Sequence, residues 1–433
     1  MSDNNSGIKA SKRRQMEARR RRLRRRKRKR AMLLGGMLCT VCLILFSAIY
    51  GISHLLHKHT DTKEAVKTSP KQTAKSKDTS SSKEKIDTSA VKTQELVINT
   101  DTNSGKKKKG SSSKGPTTIT ISSMGDCTLG TDESFDQSTS FNAYYNEYGA
   151  DYFFKNVRSI LEADDLSVVN FEGTLTEETS RADKTFAFKA PAEYAQILTS
   201  GSVEAVNTAN NHSHDYGEQS YTDTLTALDN AGITHFGYDD TAVMDIKGIK
   251  VGLVGIYELK DHLGREQQLK DNIAKVKADG AELIVVIFHW GNETETVPDT
   301  NQMTLGRLAI DEGADLVCGH HPHVLQGIET YKGKNIVYSL GNFCFGGNSS
   351  PSDMDTMIFQ QTFTVTSEGV QADNVTNIIP CSISSADGYN NYQPTPASGD
   401  EASRIKSKIE ECSAAIPAAD SSSATSEGSD SEE

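Results

Sequence analysis

Apolar runs that end in metal-binding side chains recur along the middle of this 433-residue chain. The clearest is AELIVVIFHWG (281–291), whose continuous apolar stretch is typical of a strand buried on both faces and ends at His289. Helical patterns stand between such runs, as in SYTDTLTALDNAG (220–232), which closes at Gly232. Strands that alternate with helices favour an α/β fold with a largely buried sheet.

Five of the predicted strands end in side chains that can bind metal ions. In open α/β sheets, ligands bind outside the carboxyl ends of the strands, so five such ends indicate one shared site. Alone, each residue has an ordinary explanation, such as a turn aspartate or a core histidine. The polar residues at these ends are Asp126, Glu172, Asn210, Asn211, His212, His289, Glu293, His321 and His323.

The stretch GADLVCGHHPHVLQGIE (313–329) places three histidines within four positions. Pro322 has a fixed backbone dihedral angle and would hold His321 and His323 on one side of a turn. Because alternate side chains of a strand face opposite sides, His320 is predicted to point away from the site. The alternative interpretation is a surface loop that happens to be rich in histidine.

The stretch NTANNHSHDYG (207–217) gathers carboxamides, imidazoles and the carboxylate of Asp215 in one tight turn. Its alternative interpretation is a helix start capped by asparagine. Oxygen and nitrogen ligands without thiolate suit Mn²⁺, Fe or Zn²⁺ in a hydrolytic site better than a closed structural zinc site. The sequence therefore predicts a divalent metal cofactor, as one ion or two. Two ions about 4 Å apart, bridged by a carboxylate, would polarise a phosphoryl oxygen and generate hydroxide near neutral pH.

The N-terminus predicts a membrane anchor. Half of residues 1–30 are Lys or Arg, and residues 31–56 contain no Asp, Glu, Lys or Arg. The apolar run exceeds the roughly 20 residues that a transmembrane helix needs. By the positive-inside rule, residues 1–30 stay cytoplasmic, and the bulk of this single-pass chain lies outside the cell. A basic segment can bind nucleic acid, but beside an apolar span it is better explained by contact with membrane lipid, so no nucleic-acid partner is expected.

Composition divides the rest of the chain into three parts. Residues 57–116 are rich in Lys, Ser and Thr and are predicted to form a disordered linker. Residues 117–385 are predicted to form the folded domain, and residues 386–433 an acidic Ser/Ala-rich tail with a short helix around 401–412. The sequence leaves open whether Cys381 and Cys412 form a disulfide.

An ordered series of motifs resembles the CapA family of capsule or poly-γ-glutamate biosynthesis proteins over about residues 120–385. That family is similar in turn to the calcineurin-like metallophosphoesterases, so the resemblance implies a four-layer αββα sandwich. The motifs are GDCTLG, NFEGTLT, FKAP (188–191), NTANNHSHDYG, HWGNE, GADLVCGHHPHVLQGIE and YSLGNF (338–343).

The resemblance also implies roles for individual residues. Asp126 would be a metal ligand on the first strand, Glu172 would bridge two metals, and Asn211 would be a further ligand. His212 would donate a proton to the leaving group, with Asp215 beside it in the catalytic set. The remaining metal ligands would be His289, His321 and His323.

The chain departs from the wider superfamily at two positions. The first motif there reads Asp-x-His, whereas this chain has Thr128 in place of the histidine. The bridging carboxylate is Glu172 rather than Asp, which is one methylene longer.

The expected function is synthesis or export of an anionic capsule polymer such as poly-γ-glutamate, by a membrane-anchored extracellular protein with a metal-dependent phosphoesterase-type site. The alternatives are a subunit that binds the polymer without hydrolysis and a general secreted phosphatase or nucleotidase, so an enzymatic activity stays open. Expected partners are membrane lipid, the anionic polymer or a phosphoester, and other membrane subunits of a polymer synthase. Residues expected to bind substrate are Lys189, Asn210 and Glu293.

Overall fold

A computed structural model describes residues 115–419 of the chain. The predicted cytoplasmic segment, the predicted transmembrane helix, nearly all of the predicted linker and the end of the tail lie outside the described residues. Among residues 115–419, no helix is both long enough and apolar enough to cross a bilayer.

The described residues form two large sheets, one small sheet and seven α-helices. The strands are β1 (Thr117–Thr128), β2 (Leu166–Phe171), β3 (Thr174–Leu175), β4 (Lys189–Ala190), β5 (Ala205–Asn207), β6 (Thr234–Phe236), β7 (Ala242–Ile246), β8 (Ile249–Tyr257), β9 (Leu283–His289), β10 (Leu316–His320), β11 (Ile328–Tyr331), β12 (Lys334–Val337), β13 (Asn342–Phe345), β14 (Asp355–Thr366), β15 (Gly369–Val370), β16 (Val375–Ser382) and β17 (Thr395–Pro396). The helices are α1 (Phe141–Tyr148), α2 (Arg158–Leu161), α3 (Ala195–Ser200), α4 (Glu218–Ala231), α5 (Glu266–Ala278), α6 (Thr300–Asp311) and α7 (Gly399–Ala414).

The first large sheet has the strand order β17-β16-β14-β1-β2-β5-β6, with β13 beside β1 and β15 beside β14. The second has the order β11-β12-β10-β9-β8-β7, and β3 and β4 form a separate pair. Within the first sheet, β1, β2, β5 and β6 are parallel. Within the second sheet, β8, β9, β10 and β12 are parallel.

Three buried apolar clusters show how the layers stack. One lies between the two large sheets and includes Ile121, Val168, Val285 and Leu316. A second joins the outer face of the first sheet to α1 through α4, and a third joins the outer face of the second sheet to α5 and α6. The order of layers is therefore helix, sheet, sheet, helix, as the resemblance to the metallophosphoesterases implied.

Polar residues replace apolar ones where the parallel strands end. In the first sheet, Asp126 pairs with Asn170, which pairs with Asn207 on the next strand. In the second sheet, His320 pairs with His289. These residues share strand faces with the apolar residues of the inter-sheet cluster, so the inter-sheet space is apolar along its length and polar at its carboxyl end.

Most of the predicted elements are present. Lys247 and Gly248 form the hairpin turn that joins β7 to β8, and both residues have positive φ, 54° and 82°. Helix α6 begins with a capping box between Asp299 and Gln302. Helix α5 was not predicted, although Leu269, Ile273 and Val276 repeat at helical spacing on its buried face.

The folded residues continue past the predicted limit at residue 385. Tyr392 is buried in the cluster beneath α1, and Ile405 and Ile409 of α7 are buried at the edge of the inter-sheet cluster. The predicted short helix around 401–412 is thus a longer helix packed onto the domain. Cys381 and Cys412, whose pairing the sequence left open, are both free and buried.

Candidate metal centre

Glu172 lies at the centre of the candidate site. Its side chain is fully buried, and neither carboxylate oxygen has a hydrogen-bond partner. Its Oε1 lies 3.8 Å from Nε2 of His212, 3.8 Å from Nε2 of His289 and 3.9 Å from Nε2 of His323. A buried polar group without a partner is costly, and a divalent cation would satisfy both the carboxylate and the imidazoles around it.

Two groups of candidate ligands share Glu172. We call Asp126, Glu172 and His323 the first subsite, and Glu172, His289 and His321 the second subsite; within each group the ligand atoms lie within 4.8 Å of one another. Glu172 is thus the one residue that these two groups have in common. A third group joins Glu293, which is exposed, to His321 and His323 at the rim.

Asp126 joins the two sheets at the first subsite. Its Oδ1 accepts a hydrogen bond from Nδ2 of Asn170 at 2.8 Å, and its Oδ2 accepts one from the backbone N–H of His321 at 3.2 Å. Nδ1 of His323 lies 3.3 Å from Oδ2. Burial would raise the pKa of Asp126, but the nearby imidazoles of His320 and His323 outweigh it and hold the pKa well below its usual range.

The chain turns sharply after β10. His321 and His323 both have positive φ, 94° and 57°, which non-glycine residues rarely adopt. Such strain persists only where the surrounding structure imposes it, and it clusters at functional sites. The turn directs His321 and His323 to the same cluster as Glu172, as Pro322 led us to predict.

The prediction that His320 points away from the site is wrong. His320 is buried, and its Nδ1 lies 3.3 Å from Oδ1 of Asp126. The prediction assumed that His321 belongs to the strand and faces the site, so that His320 would face the opposite side. In the structure, β10 ends at His320, and His321 belongs to the turn that follows. Counted along β10, His320 faces the same side as Cys318, which belongs to the inter-sheet cluster.

Asn170 is a site residue that sequence reasoning missed. Besides Asp126, its Nδ2 contacts Nδ1 of His289 at 3.2 Å, so one amide touches a candidate ligand in each subsite. Its Oδ1 accepts a hydrogen bond from Nδ2 of Asn207 at 2.8 Å. The signal in the sequence was its place in NFEG, two residues before the predicted ligand Glu172.

His212 and Asp215 form a dyad beside Glu172. Nδ1 of His212 lies 2.7 Å from Oδ2 of Asp215, which fixes the ring and turns Nε2 towards Glu172. Lys184, which sequence reasoning missed, donates from Nζ to Oδ1 of Asp215 at 2.6 Å and to the backbone carbonyl of Asn211 at 2.8 Å. Burial lowers the pKa of His212, although the hydrogen bond to Asp215 opposes that shift.

Two of the three predicted substrate-binding residues are engaged elsewhere. Nζ of Lys189 donates to the backbone carbonyl of Glu178 at 2.6 Å and lies over the ring of Tyr216 at 4.6 Å, so Lys184 rather than Lys189 is the lysine of the site. Nδ2 of Asn210 donates to the backbone carbonyl of Phe171 at 2.7 Å, and its Oδ1 accepts from the N–H of His212. Asn210 therefore braces the turn that carries His212.

Asn211 stands beside the second subsite. Its Oδ1 lies 2.8 Å from Nε2 of His289. The contact is a hydrogen bond that Nε2–H of His289 donates, and it places both side chains where they would hold a cation in the second subsite.

Burial sets the protonation of the cluster. It raises the pKa of Glu172 to about 8. It lowers the pKa of His321 to about 3, and it lowers that of His289 well below its usual range. Burial would also lower the pKa of His323, but the charges of Glu172 and Asp126 raise it to about 10. His289 and His321 are therefore neutral, which is the form that binds a metal ion.

A cleft of about 300 Å³ opens above the cluster. His212 and His323 form part of its floor, and Glu293 lies on its wall. One side is aromatic: the rings of Phe186 and Phe188 are nearly parallel, with centroids 6.4 Å apart, and the ring of Phe188 lies 4.6 Å from that of His212. The cleft is large enough for a small anionic group together with the chain that carries it.

The fold and the site together define the class of this protein. It is an α/β sandwich of two β-sheets, whose strand ends bring carboxylates and imidazoles together in a candidate metal centre. Residues 120–347, more than half of the chain, match the family model described as "Bacterial capsule synthesis protein PGA_cap". The chain belongs to this family of capsule synthesis proteins.

Curated relatives agree with this assignment. The chain is 32% identical over 226 residues to the capsule biosynthesis protein CapA of Bacillus anthracis, covering 46% of this chain and 55% of the relative. It is 34% identical over 222 residues to the PGA biosynthesis protein CapA of Bacillus subtilis (strain 168), covering 46% and 57%. The chain thus spans about half the length of the curated relatives that it matches.

Similarity to solved structures is more distant. A hypothetical protein from Thermus thermophilus aligns with a TM-score of 0.38 and 12% identity, over 60% of this chain and 98% of that chain. The 5'-nucleotidase of Candida albicans aligns with a TM-score of 0.37 and 10% identity, over 68% and 56%.

Proposed function

We propose that this chain is a membrane-anchored extracellular protein that acts in the synthesis or export of an anionic capsule polymer such as poly-γ-glutamate, through a metal-dependent site of the phosphoesterase type. Family membership supports the role in capsule synthesis. The charge step between residues 1–30 and the apolar run 31–56 supports the anchor and the outward orientation.

One observation carries the metal-dependent site: the buried carboxylate of Glu172 has no hydrogen-bond partner and faces three imidazole Nε2 atoms at 3.8–3.9 Å. Asp126 and His323 would hold a cation on one side of Glu172, and His289, His321 and Asn211 on the other. Divalent cations in such sites polarise a phosphoryl oxygen and activate water. This donor set suits Mn²⁺, Fe or Zn²⁺.

The chain's own residues supply the proton chemistry. Asp215 accepts a hydrogen bond from Nδ1–H of His212. This bond keeps Nε2 of His212 directed at the site. Lys184 donates a hydrogen bond to Asp215, whose charge it neutralises, and a second hydrogen bond to the backbone carbonyl of Asn211. When it also carries a proton at Nε2, His212 would thus give that proton to the oxygen of a leaving group in the cleft, which it lines. This dyad favours a hydrolytic site over a site that only binds, since polymer binding requires no oriented proton donor.

The experiment compares the wild-type full-length chain with His321→Ala, His212→Gln and the control His235→Gln. His235 lies in β6 and contacts Asp229, away from the cluster. We would measure bound metal per purified chain, hydrolysis of a generic phosphoester, and capsule polymer in cells that lack the wild-type protein. For a hydrolytic site, His321→Ala loses metal and all function, whereas His212→Gln keeps metal and loses hydrolysis and polymer by about 10²-fold or more.

Other results would replace the proposal with one of its alternatives. If His212→Gln sustains normal polymer while His321→Ala does not, the site binds the polymer or its precursor without hydrolysis. If generic phosphoesters are hydrolysed but polymer is unaffected by every variant, the chain is a general secreted phosphatase. A wild-type chain without metal would overturn the metal-dependent site.

A further inference from the structure

His320 is a buried histidine that the proposed chemistry does not use. It is the last residue of β10 and is 1% exposed, on the strand face that packs against the other large sheet. Its Nδ1 has no well-aligned hydrogen-bond partner, and the nearby group that it approaches is Oδ1 of Asp126, at 3.3 Å. A buried imidazole nitrogen without a good partner calls for a functional explanation.

The two oxygens of Asp126 have different surroundings. Oδ1 lies 2.8 Å from Nδ2 of Asn170 and 3.3 Å from Nδ1 of His320. Oδ2 lies near Nδ1 of His323 and the backbone N–H of His321. The hydrogen bond from Asn170 to Oδ1 restrains the rotation of the carboxylate, and Oδ2 lies beside His323 of the first subsite.

The first subsite needs such support because it has few ligands. It contains three candidate ligands, Asp126, Glu172 and His323. Position 128, two residues after Asp126, is a threonine whose buried hydroxyl also has no partner. When one ligand of a site is missing, the orientation of those that remain determines more of its affinity.

We propose that His320 is a positioning residue for Asp126: its Nδ1–H donates to Oδ1 and holds Oδ2 towards the first subsite. Asn170 provides the second donor to Oδ1, from the adjacent strand of the other sheet. His320 therefore acts through Asp126 and contacts neither the cation nor the substrate. This inference rests on the proposed function, because it supposes that the first subsite binds a divalent cation.

Three substitutions distinguish the ways in which His320 could act. His320→Asn places an amide N–H near the position of Nδ1, His320→Gln places one near the position of Nε2, and His320→Leu fills the space without a donor. We would titrate the full-length chain and the control His235→Asn with Mn²⁺ and Co²⁺, recording Kd and the visible absorption of bound Co²⁺. Thermal unfolding of each chain in the presence of chelator reports on folding alone.

We expect His320→Asn to bind within about threefold of the wild-type chain, and His320→Leu and His320→Gln to bind about 10- to 100-fold more weakly, with an altered Co²⁺ spectrum. If His320→Leu binds both metals as the wild type does, His320 is an ordinary core residue and the inference is wrong. If His320→Gln retains affinity while His320→Asn loses it, the imidazole acts through Nε2, and the inference is also wrong.

The control measurements separate this inference from the proposed function. Failure of the wild-type chain to bind metal would overturn the metal-dependent site itself, and the role of His320 with it. A wild-type chain that binds metal, beside variants that bind equally well, would overturn only the role of His320. If His320→Leu fails to fold, the comparison of His320→Asn with His320→Gln still decides the outcome.

Discussion

At the scale of single residues, the ionised carboxylate of Glu172 opposes folding when no cation is bound. Its carboxylate is buried without a hydrogen-bond partner, and burial raises its pKa to about 8, well above the ordinary value of 4.5. The folded chain therefore holds a proton that the unfolded chain releases. Stability contributed by this group is full below pH 4.5 and is lost as the pH rises towards 8.

We predict that Glu172→Gln removes this contribution to the pH dependence of stability. In chelator at pH 8, the variant should have a higher free energy of unfolding than the wild type, by about 4 kcal/mol, because the pKa of Glu172 rises from 4.5 to about 8 on folding and each pKa unit corresponds to about 1.4 kcal/mol. At pH 5 the two should differ little, since the wild-type carboxyl is then largely protonated. Denaturant unfolding at both pH values measures this difference. With added metal the order should invert, because the variant lacks the carboxylate that the two candidate subsites share. An equal difference at both pH values would contradict the prediction.

Residue patterns predicted which side chains meet but not always how they face. Asp126, Glu172, His289, His321 and His323 were found from strand ends, because each follows an apolar run. His320 was misplaced because the chain leaves β10 at His321, through a positive φ that the sequence does not announce. Lys184 was missed because it lies in an irregular segment between β3 and β4, where no period relates a residue to the site.

At the scale of elements, α7 connects the C-terminal part of the chain to the cleft. Arg404 forms a two-bond ion pair with Asp355 at 2.7 Å, and Lys408 pairs with Asp353 at 2.6 Å. Asp353 also lines the cleft above the histidines. Helix α7 thereby holds one wall of the cleft, although it lies outside the series of motifs that mark the family.

We predict that Gly327→Ala weakens this connection. A Cβ at Gly327 would lie 2.5 Å from Cα of Ser413 and 2.6 Å from the backbone carbonyl of Cys412, so α7 must shift. Crowding of this kind costs about 1–3 kcal/mol, which thermal unfolding would detect. The matched control is Gly264→Ala, whose Cβ would meet nothing closer than 3.6 Å. Equal melting temperatures for the two variants would show that the contact with α7 is not tight.

The sequence contains an apolar pattern that predicts the packing of α7, but the polar composition of the segment masks this pattern. Ile405, Ile409 and Cys412 repeat at the spacing of one helix face, and all three are buried. Ser, Ala and acidic residues surround them, so the segment was grouped with the tail. The apolar face, rather than the average composition, decides whether a segment of this kind packs.

At the scale of the whole molecule, we predict where protease cuts. If residues 57–433 lie outside the cell, protease added to intact cells should release a folded fragment that begins near residue 115. Because α7 packs on the domain, the fragment should extend past Ala414 rather than end near 385. Mass spectrometry of the released fragment measures both ends. Complete protection in intact cells, with cleavage only after lysis, would contradict the outward orientation.

The layer order was accessible from the sequence through the family resemblance, whereas the periodicities alone gave only alternating strands and helices. Two sheets with similar apolar strands cannot be told from one large sheet by pattern, since strand pairing depends on contacts between distant segments. Antiparallel β14 inserts beside β1, more than two hundred residues earlier in the chain. Such pairing is set by tertiary contacts, not by local propensity.

The candidate ligands come from opposite sheets, and this has a mechanical consequence. Asp126 and Glu172 lie at the carboxyl ends of strands of the first sheet, whereas His289, His321 and His323 lie at the carboxyl ends of strands of the second. Asp126 and His321 are 195 residues apart in the chain. The five cysteines within residues 115–419 are all free, so no disulfide holds the two sheets together in that part of the chain. A cation bound as we propose would be a reversible crosslink that closes a very long loop, and its removal would let the sandwich open from this edge first.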